Sequence, residues 1–129
     1  MEPQNPVYWF EIYVEDMNRA QKFYETVLDV NLTSLPTPET IEDSLSMMAF
    51  PSNQNGPGSS GALVYMKGFK AGGNSTIIYF GAEDCAIEES RIEAAGGKIF
   101  KNKFSIGEYG FISLAYDTEG NMFGLYSMA

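Results

Sequence analysis

The sequence predicts an α+β fold in which one βαβββ unit is written twice within 129 residues. Three observations predict it. A strand rich in aromatic and β-branched residues runs through an acidic pair into a helix at two places, and each helix is followed by three more strand-like segments. A glycine-punctuated stretch separates the two passages.

The first strand is YWFEIYV, Tyr8 to Val14, whose composition suits a pleated, half-buried surface. Asp16 then supplies an N-cap oxygen for a helix over about Met17 to Leu28. Met17, Ala20, Phe23, Tyr24 and Val27 recur at three- and four-residue spacing and form one apolar stripe, while Asn18, Arg19, Lys22 and Glu25 face water. Such a stripe must lie against a sheet. The passage repeats as TIIYFGAED, Thr76 to Asp84: Glu83-Asp84 matches Glu15-Asp16, and the same displacement carries Ile12 onto Phe80, Val14 onto Ala82 and Tyr24 onto Ile92. The second helix is expected over about Ala86 to Ala95, closed by Gly96-Gly97, since glycine takes the left-handed C-cap conformation without steric cost.

Three short strands should follow each helix. In the first half they are Val30 to Leu35, Ser44 to Phe50 and Gly61 to Met66, and in the second Lys98 to Phe104, Gly110 to Tyr116 and Met122 to Ser127. DTEGN at 117–121 is a tight-turn signature in which Gly120 provides positive φ. The matching connection, PSNQNGPGSSG from Pro51 to Gly61, is longer and is expected to be a mobile flap. The domain reading is therefore a single domain over 1–129, with repeat one at about 7–67, a linker at about 68–74 and repeat two at about 75–127.

Composition bounds the function. A hydrophobic fraction of 44% can fill a core. Eight basic against 17 acidic residues give a net charge of −9, which repels nucleic-acid backbones and anionic membrane surfaces. Lys98, Lys101 and Lys103 lie on one predicted strand, where lysines blunt an exposed sheet edge. Met1 to Asp16 lacks the basic start and apolar run of a secretion signal, so a cytoplasmic location is expected. No stretch approaches the ~20 apolar residues of a membrane helix. Cys85 is the only cysteine; it cannot form an internal disulfide, and its acidic neighbours oppose a reactive thiolate.

Two motifs carry a resemblance. VEDMNRAQKFYETVLDV (14–30) shows an acidic pair, an alanine, Phe-Tyr and a leucine closing the helix, and DTEGNMFGLYS (117–127) is similar to an Asp-Pro-Asp-Gly-Asn turn with its final strand. With the internal duplication, the chain resembles the vicinal oxygen chelate superfamily of glyoxalase I, bleomycin-resistance proteins and extradiol dioxygenases. The resemblance covers nearly the whole sequence. It implies that the strands curl into a curved mixed sheet, an incomplete barrel with the helices on its convex face, a ligand cleft on the concave face and a homodimer.

In that superfamily the metalloenzymes place one His, Glu or Gln ligand on each of four cleft-facing strand positions. The resemblance assigns these to Trp9, Gly61, Ile77 and Gly124, none of which can ligate through its side chain, and the sequence holds no histidine. No metal and no cofactor are expected. Strand alternation sends Phe10, Ile12 and Val14 toward the helix and leaves Trp9, Glu11 and Tyr13 in the cleft, with Ile77, Tyr79 and Gly81 on the repeat partner. Glu11 is thus expected in a partly desolvated aromatic wall, either as counter-ion or general base, or as a structural carboxylate. Trp9, Tyr13, Tyr65, Tyr79, Phe111 and Tyr126 are the candidate walls for a flat or cationic ligand, or else ordinary core.

Three functional readings follow. The first is a metal-free small-molecule binder with a cationic or aromatic ligand, in the manner of bleomycin-resistance proteins. The second is a metal-independent lyase or isomerase with Glu11 as general base. The third is a degenerate scaffold whose cleft is filled by its own side chains.

Overall fold

The computed structural model describes residues 5–36 and 45–129. The element order is β1 (Phe10–Tyr13), α1 (Met17–Leu28), β2 (Thr33–Ser34), β3 (Leu45–Ala49), β4 (Gly61–Met66), β5 (Ile78–Gly81), α2 (Cys85–Glu89), β6 (Lys98–Ser105), a 3₁₀ turn at Gly107–Tyr109, β7 (Phe111–Tyr116) and β8 (Met122–Ser127). Each half forms a four-stranded mixed sheet of the same topology, β1-β4-β3-β2 and β5-β8-β7-β6, with the first strand of each half parallel to the last. The two sheets are not closed into a barrel. The α+β, twice-repeated βαβββ expectation is met.

α1 begins where the sequence places it. The Asp16 side chain accepts a hydrogen bond from the Arg19 amide at 3.1 Å, satisfying one of the donors a helix start leaves open. The stripe of Ala20, Phe23, Tyr24 and Val27 is buried. Arg91 comes from the second half to the other end, donating from Nη1 to the Val27 carbonyl at 3.1 Å and placing a cation at the helix C-terminus. α2 is shorter than expected. Asp84 caps it and pairs with Lys103 at 2.8 Å, but the Ser90 hydroxyl takes the Ile87 carbonyl at 2.6 Å and the following amides turn to tighter i−3 bonds. The glycine C-cap remains: Gly96 has φ +102°, and Gly97 donates back to the Ile92 carbonyl.

The strands after α1 also deviate. The strand is confined to Thr33–Ser34 in place of Val30 to Leu35, with the Leu35 amide still donating to the Met47 carbonyl at 3.0 Å, because Glu25 takes the Leu32 amide with its side chain at 2.8 Å. Ser44, the expected start of the next strand, lies outside the described residues. β6 is the outer strand of its sheet and carries Lys98, Lys101 and Lys103, two of them over aromatic rings: Lys101 over Phe104 and Lys103 over Phe111. In the Pro51–Gly61 connection the Ser60 hydroxyl bridges the Phe50 and Pro51 carbonyls at 3.1 and 2.8 Å.

The core lies between the helices and the inner sheet faces and belongs to both halves. Phe10 and Phe50 from the first half, Phe80 and Phe123 from the second, and Phe23 and Tyr24 of α1 form one connected group of rings with centroids 5.0 to 6.1 Å apart. Most cross edge-to-face or tilted, the arrangements favoured by the aromatic quadrupole. This group holds the first strands of the two halves near each other, and a hollow opens beside them.

Candidate functional site

Register sorts the predicted residues by face. On β1, Ile12 is buried toward the helices and Glu11 is exposed on the opposite face, as alternation requires. Trp9 precedes this strand on the same side, 44% exposed. Glu11 is therefore solvent-facing rather than desolvated, which differs from the expectation: β1 is an edge strand, so water reaches its concave side. The carboxylate is nonetheless fixed. Trp9 Nε1 donates to Glu11 Oε2 at 3.3 Å and Tyr13 Oη donates to Oε1 at 3.0 Å, so the three residues form one unit. Burial, then donation to Glu11 and the carboxylate's charge, raises the Tyr13 pKa above its ordinary value.

In the second half Tyr79 and Tyr126 share the concave side, with Tyr79 45% exposed. The Tyr126 hydroxyl donates to the Tyr109 carbonyl and approaches the Met128 sulfur. Tyr65 and Phe111 lie on the other side, in register with helix-facing residues and packed against the core. Both sit one residue from where the cleft reading needs them, and the period of two sends them to the opposite face.

A hollow of about 240 Å³ runs along the free edge of β1. Glu11 and Tyr13 line it from β1, Ile78 from β5 and Met122 from β8, with Ile12, Tyr24 and Phe123 at its apolar base. Asn121 of the 117–121 turn joins them, and the rest of the wall is the inter-repeat segment with the residue leading into β5: Phe69, Lys70, Gly72, Asn74 and Thr76. Phe69 stacks on Tyr13 at 5.2 Å with planes 20° apart. Of the seven predicted residues, the hollow brings together Glu11 and Tyr13, with Trp9 attached through Glu11; Tyr65 lines a second, more open depression with Glu15, Met66, Phe69 and Lys70. The linker's contribution is new. Its signal in the sequence was an aromatic and a lysine, Phe69-Lys70, set among glycines where a plain spacer has neither.

The 117–121 turn holds this wall in place. Asn121 Oδ1 accepts the Gly72 amide at 2.7 Å, and Asn121 Nδ2 donates to the Tyr13 carbonyl at 3.0 Å, joining linker and β1 through one side chain. Gly72 has φ +84°, and a Cβ there would stand 3.2 Å from the Gly120 carbonyl, so this approach requires glycine. Buried Asp117 accepts the Tyr24 hydroxyl at 2.7 Å and the amides of Glu119 and Asn121. Glu119 reaches into the first half, where one oxygen accepts the Glu15 and Asp16 amides at 2.9 Å and Arg19 binds both oxygens at 2.7 and 2.9 Å. Burial opposes ionisation of Glu119, but the bonds from Arg19, Asp16, Thr118 and Glu15 outweigh it and hold its pKa at about 2. Beyond forming a hairpin turn, the motif clasps the two repeats.

The residues do not fit a resident metal of the superfamily's kind. The register makes Ala62, the partner of Glu11, the counterpart of Gly124, the partner of Tyr79, so the second ligand position moves from Gly61 to Ala62. Neither carries a donor atom. A Cβ at Gly124 would meet the Tyr79 ring at 2.4 Å, so that ring covers the fourth position. Among the described residues no group of three or more His, Cys, Asp or Glu converges as a metal site requires.

No protein-family model matches the sequence. No curated protein matches it either. Solved structures match closely in shape. A glyoxalase I variant from Zea mays superposes with a TM-score of 0.74 at 20% identity over 95% of this chain, which spans 46% of the maize chain. A glyoxalase/bleomycin resistance protein from Albidiferax ferrireducens gives 0.67 at 19% identity over 95% of this chain and 99% of its own. TnmS3, an antibiotic binding protein from Streptomyces sp., gives 0.66 at 17% identity over the full length of both. The twice-repeated βαβββ arrangement is thus the fold of glyoxalase I and the glyoxalase/bleomycin resistance proteins, the vicinal oxygen chelate fold that the two sequence motifs resemble.

Proposed function

We propose that this chain is a metal-free small-molecule-binding protein whose ligand, cationic or aromatic, sits in the hollow beside β1. The observation that carries this is the Trp9–Glu11–Tyr13 unit: a carboxylate held by two aromatic donors, without a cationic partner among the described residues, at the rim of a 240 Å³ hollow with an apolar base. Such a carboxylate stabilises a ligand cation, and the Tyr13 and Phe69 rings offer it π faces. An antibiotic binding protein with the same fold at full mutual coverage supports a sequestering role. The lack of donor atoms at the strand positions that bear ligands in metal-dependent relatives supports metal-free binding, and a homodimer is the assembly that goes with it. The open hollow speaks against a scaffold filled by its own side chains.

Titration calorimetry against a panel of cationic aromatic compounds tests this reading. Binding with micromolar or tighter affinity, weakened at least tenfold by Glu11→Gln, is expected; silence across the panel removes the reading. One geometric feature favours the catalytic alternative, the 3.0 Å contact between Glu11 and Tyr13, which places a base beside a hydroxyl donor. A metal-independent lyase or isomerase built on it would lose turnover in Glu11→Gln while keeping ligand affinity, the opposite pattern.

A further inference from the structure

Resting on the reading of this hollow as the ligand site, we propose that its ligand is a small zwitterion: one compact apolar or aromatic frame that carries both an ammonium and a carboxylate. The argument starts from charge. The wall carries one anion, Glu11, and one cation, Lys70, the first on β1 and the second on the inter-repeat segment. The ion pairs among the described residues are Arg19–Glu119 and Lys103–Asp84, so Glu11 and Lys70 line the same hollow without coming within 4.0 Å of each other. Glu11 has its position fixed by Trp9 and Tyr13 and pairs with no cation among the described residues.

A ligand with only a positive charge satisfies Glu11 and is repelled by Lys70. One with only a negative charge does the reverse. A molecule bearing both, separated by a few bonds, bridges the two and replaces two solvated charges with two charge-assisted contacts. The space is commensurate: a hollow of 240 Å³ has room for a molecule of amino-acid size between the two groups. The apolar base of Ile12 and Phe123, with Ile78 beside it, receives the frame, and Thr76 lines the same hollow.

Matched probes separate the charge requirements. Phenylalanine carries both groups, 2-phenylethylamine lacks the carboxylate, 3-phenylpropionate lacks the amine and 2-phenylethanol lacks both charges. Titration of the full chain, followed by calorimetry and by the amide resonances of Gly72 and Thr76, should show phenylalanine binding at least tenfold tighter than each of the other three. Glu11→Gln should abolish its advantage over 3-phenylpropionate and leave its advantage over 2-phenylethylamine. Lys70→Met should do the converse; both residues are exposed, so the fold should persist, which far-UV dichroism checks. If 2-phenylethylamine binds as tightly as phenylalanine, the zwitterion is wrong and the cationic ligand of the broader reading stands. Tightest binding by 3-phenylpropionate or by 2-phenylethanol overturns the zwitterion and the cationic ligand alike. If none of the four moves the Gly72 and Thr76 resonances, the hollow is not the ligand site and both readings fall together.

Discussion

Asp117 and Glu119 stand two residues apart in one turn, and their pKa values are displaced in opposite directions. Burial raises the Asp117 pKa despite the bonds from Tyr24, Asn121 and the Glu119 amide, whereas for Glu119 the bonds from Arg19 and the Glu15 and Asp16 amides prevail over burial. The pH consequences follow from linkage. A pKa lowered from 4.5 to about 2 gives Glu119 a stabilising contribution that is complete above 4.5 and lost as pH falls toward 2. Asp117, with its folded pKa raised, opposes folding once ionised, and that opposition is relieved as it protonates on acidification. Glu119→Gln should therefore destabilise the protein by about 2 kcal/mol at pH 7, after allowing for screening at half-exposed Arg19, and by much less at pH 2.5. Urea unfolding at the two pH values measures this; equal losses at both would show that the charge plays no part. Tyr24→Phe leaves Asp117 without its hydroxyl donor and should cost about 1–3 kcal/mol, read from the same denaturation curves. Local pattern revealed Asp117, Gly120 and Asn121 as turn residues. That they reach Tyr24 and Tyr13, roughly a hundred positions away, is a tertiary relation no local spacing encodes.

At the scale of elements, the sequence was most legible where one physical rule acts alone. α1 has a cap, a stripe and a left-handed end, and its bounds agree with the 3.6-residue period. β7 and β8 pair across a tight turn and were also readable. α2 was over-extended because Ser90 competes for a helix carbonyl, a preference that periodicity does not register. Tyr65 and Phe111 were placed on the wrong face because, in strands apolar on both sides, alternation gives no phase. The junction of the α2 turn with β6 yields a sharp prediction. A Cβ on Gly97 would stand 2.5 Å from the buried Phe23 ring and 2.6 Å from the Tyr116 carbonyl, so Gly97→Ala must displace core and backbone together. It should destabilise by ~2–3 kcal/mol, as overpacking does. At Gly81, in β5, nothing lies within 4 Å of the same atom, and Gly81→Ala should shift the thermal midpoint by no more than a degree or two. Differential scanning of the two variants side by side checks the contrast.

For the whole molecule, the duplication revealed the halves, and the structure reveals what binds them. The linker reads as a spacer, yet Phe69 stacks on Tyr13 and Gly72 hydrogen-bonds Asn121, so it is a wall of the candidate site. The ring group passes from Phe10 and Phe50 through Tyr24 to Phe80 and Phe123, and Glu119 caps the first residues before α1 from the second half. Neither sheet has a complete core without the other, because Phe23 and Tyr24 are buried against Phe123. We therefore expect one cooperative unfolding transition instead of two. The protein carries its own reporter: Trp9, the single tryptophan, lies beside β1 in the first half, while far-UV dichroism averages over both. Urea curves from the two signals should coincide in midpoint and slope. Asn121→Ala removes the bonds to Gly72 and Tyr13 at once, and should lower both midpoints together, whereas the exposed Glu11 and Lys70 variants should leave them in place. A tryptophan transition that precedes the dichroism transition would mean that the first half opens alone, and the clasp would then be a local fastening with no hold over the shared core.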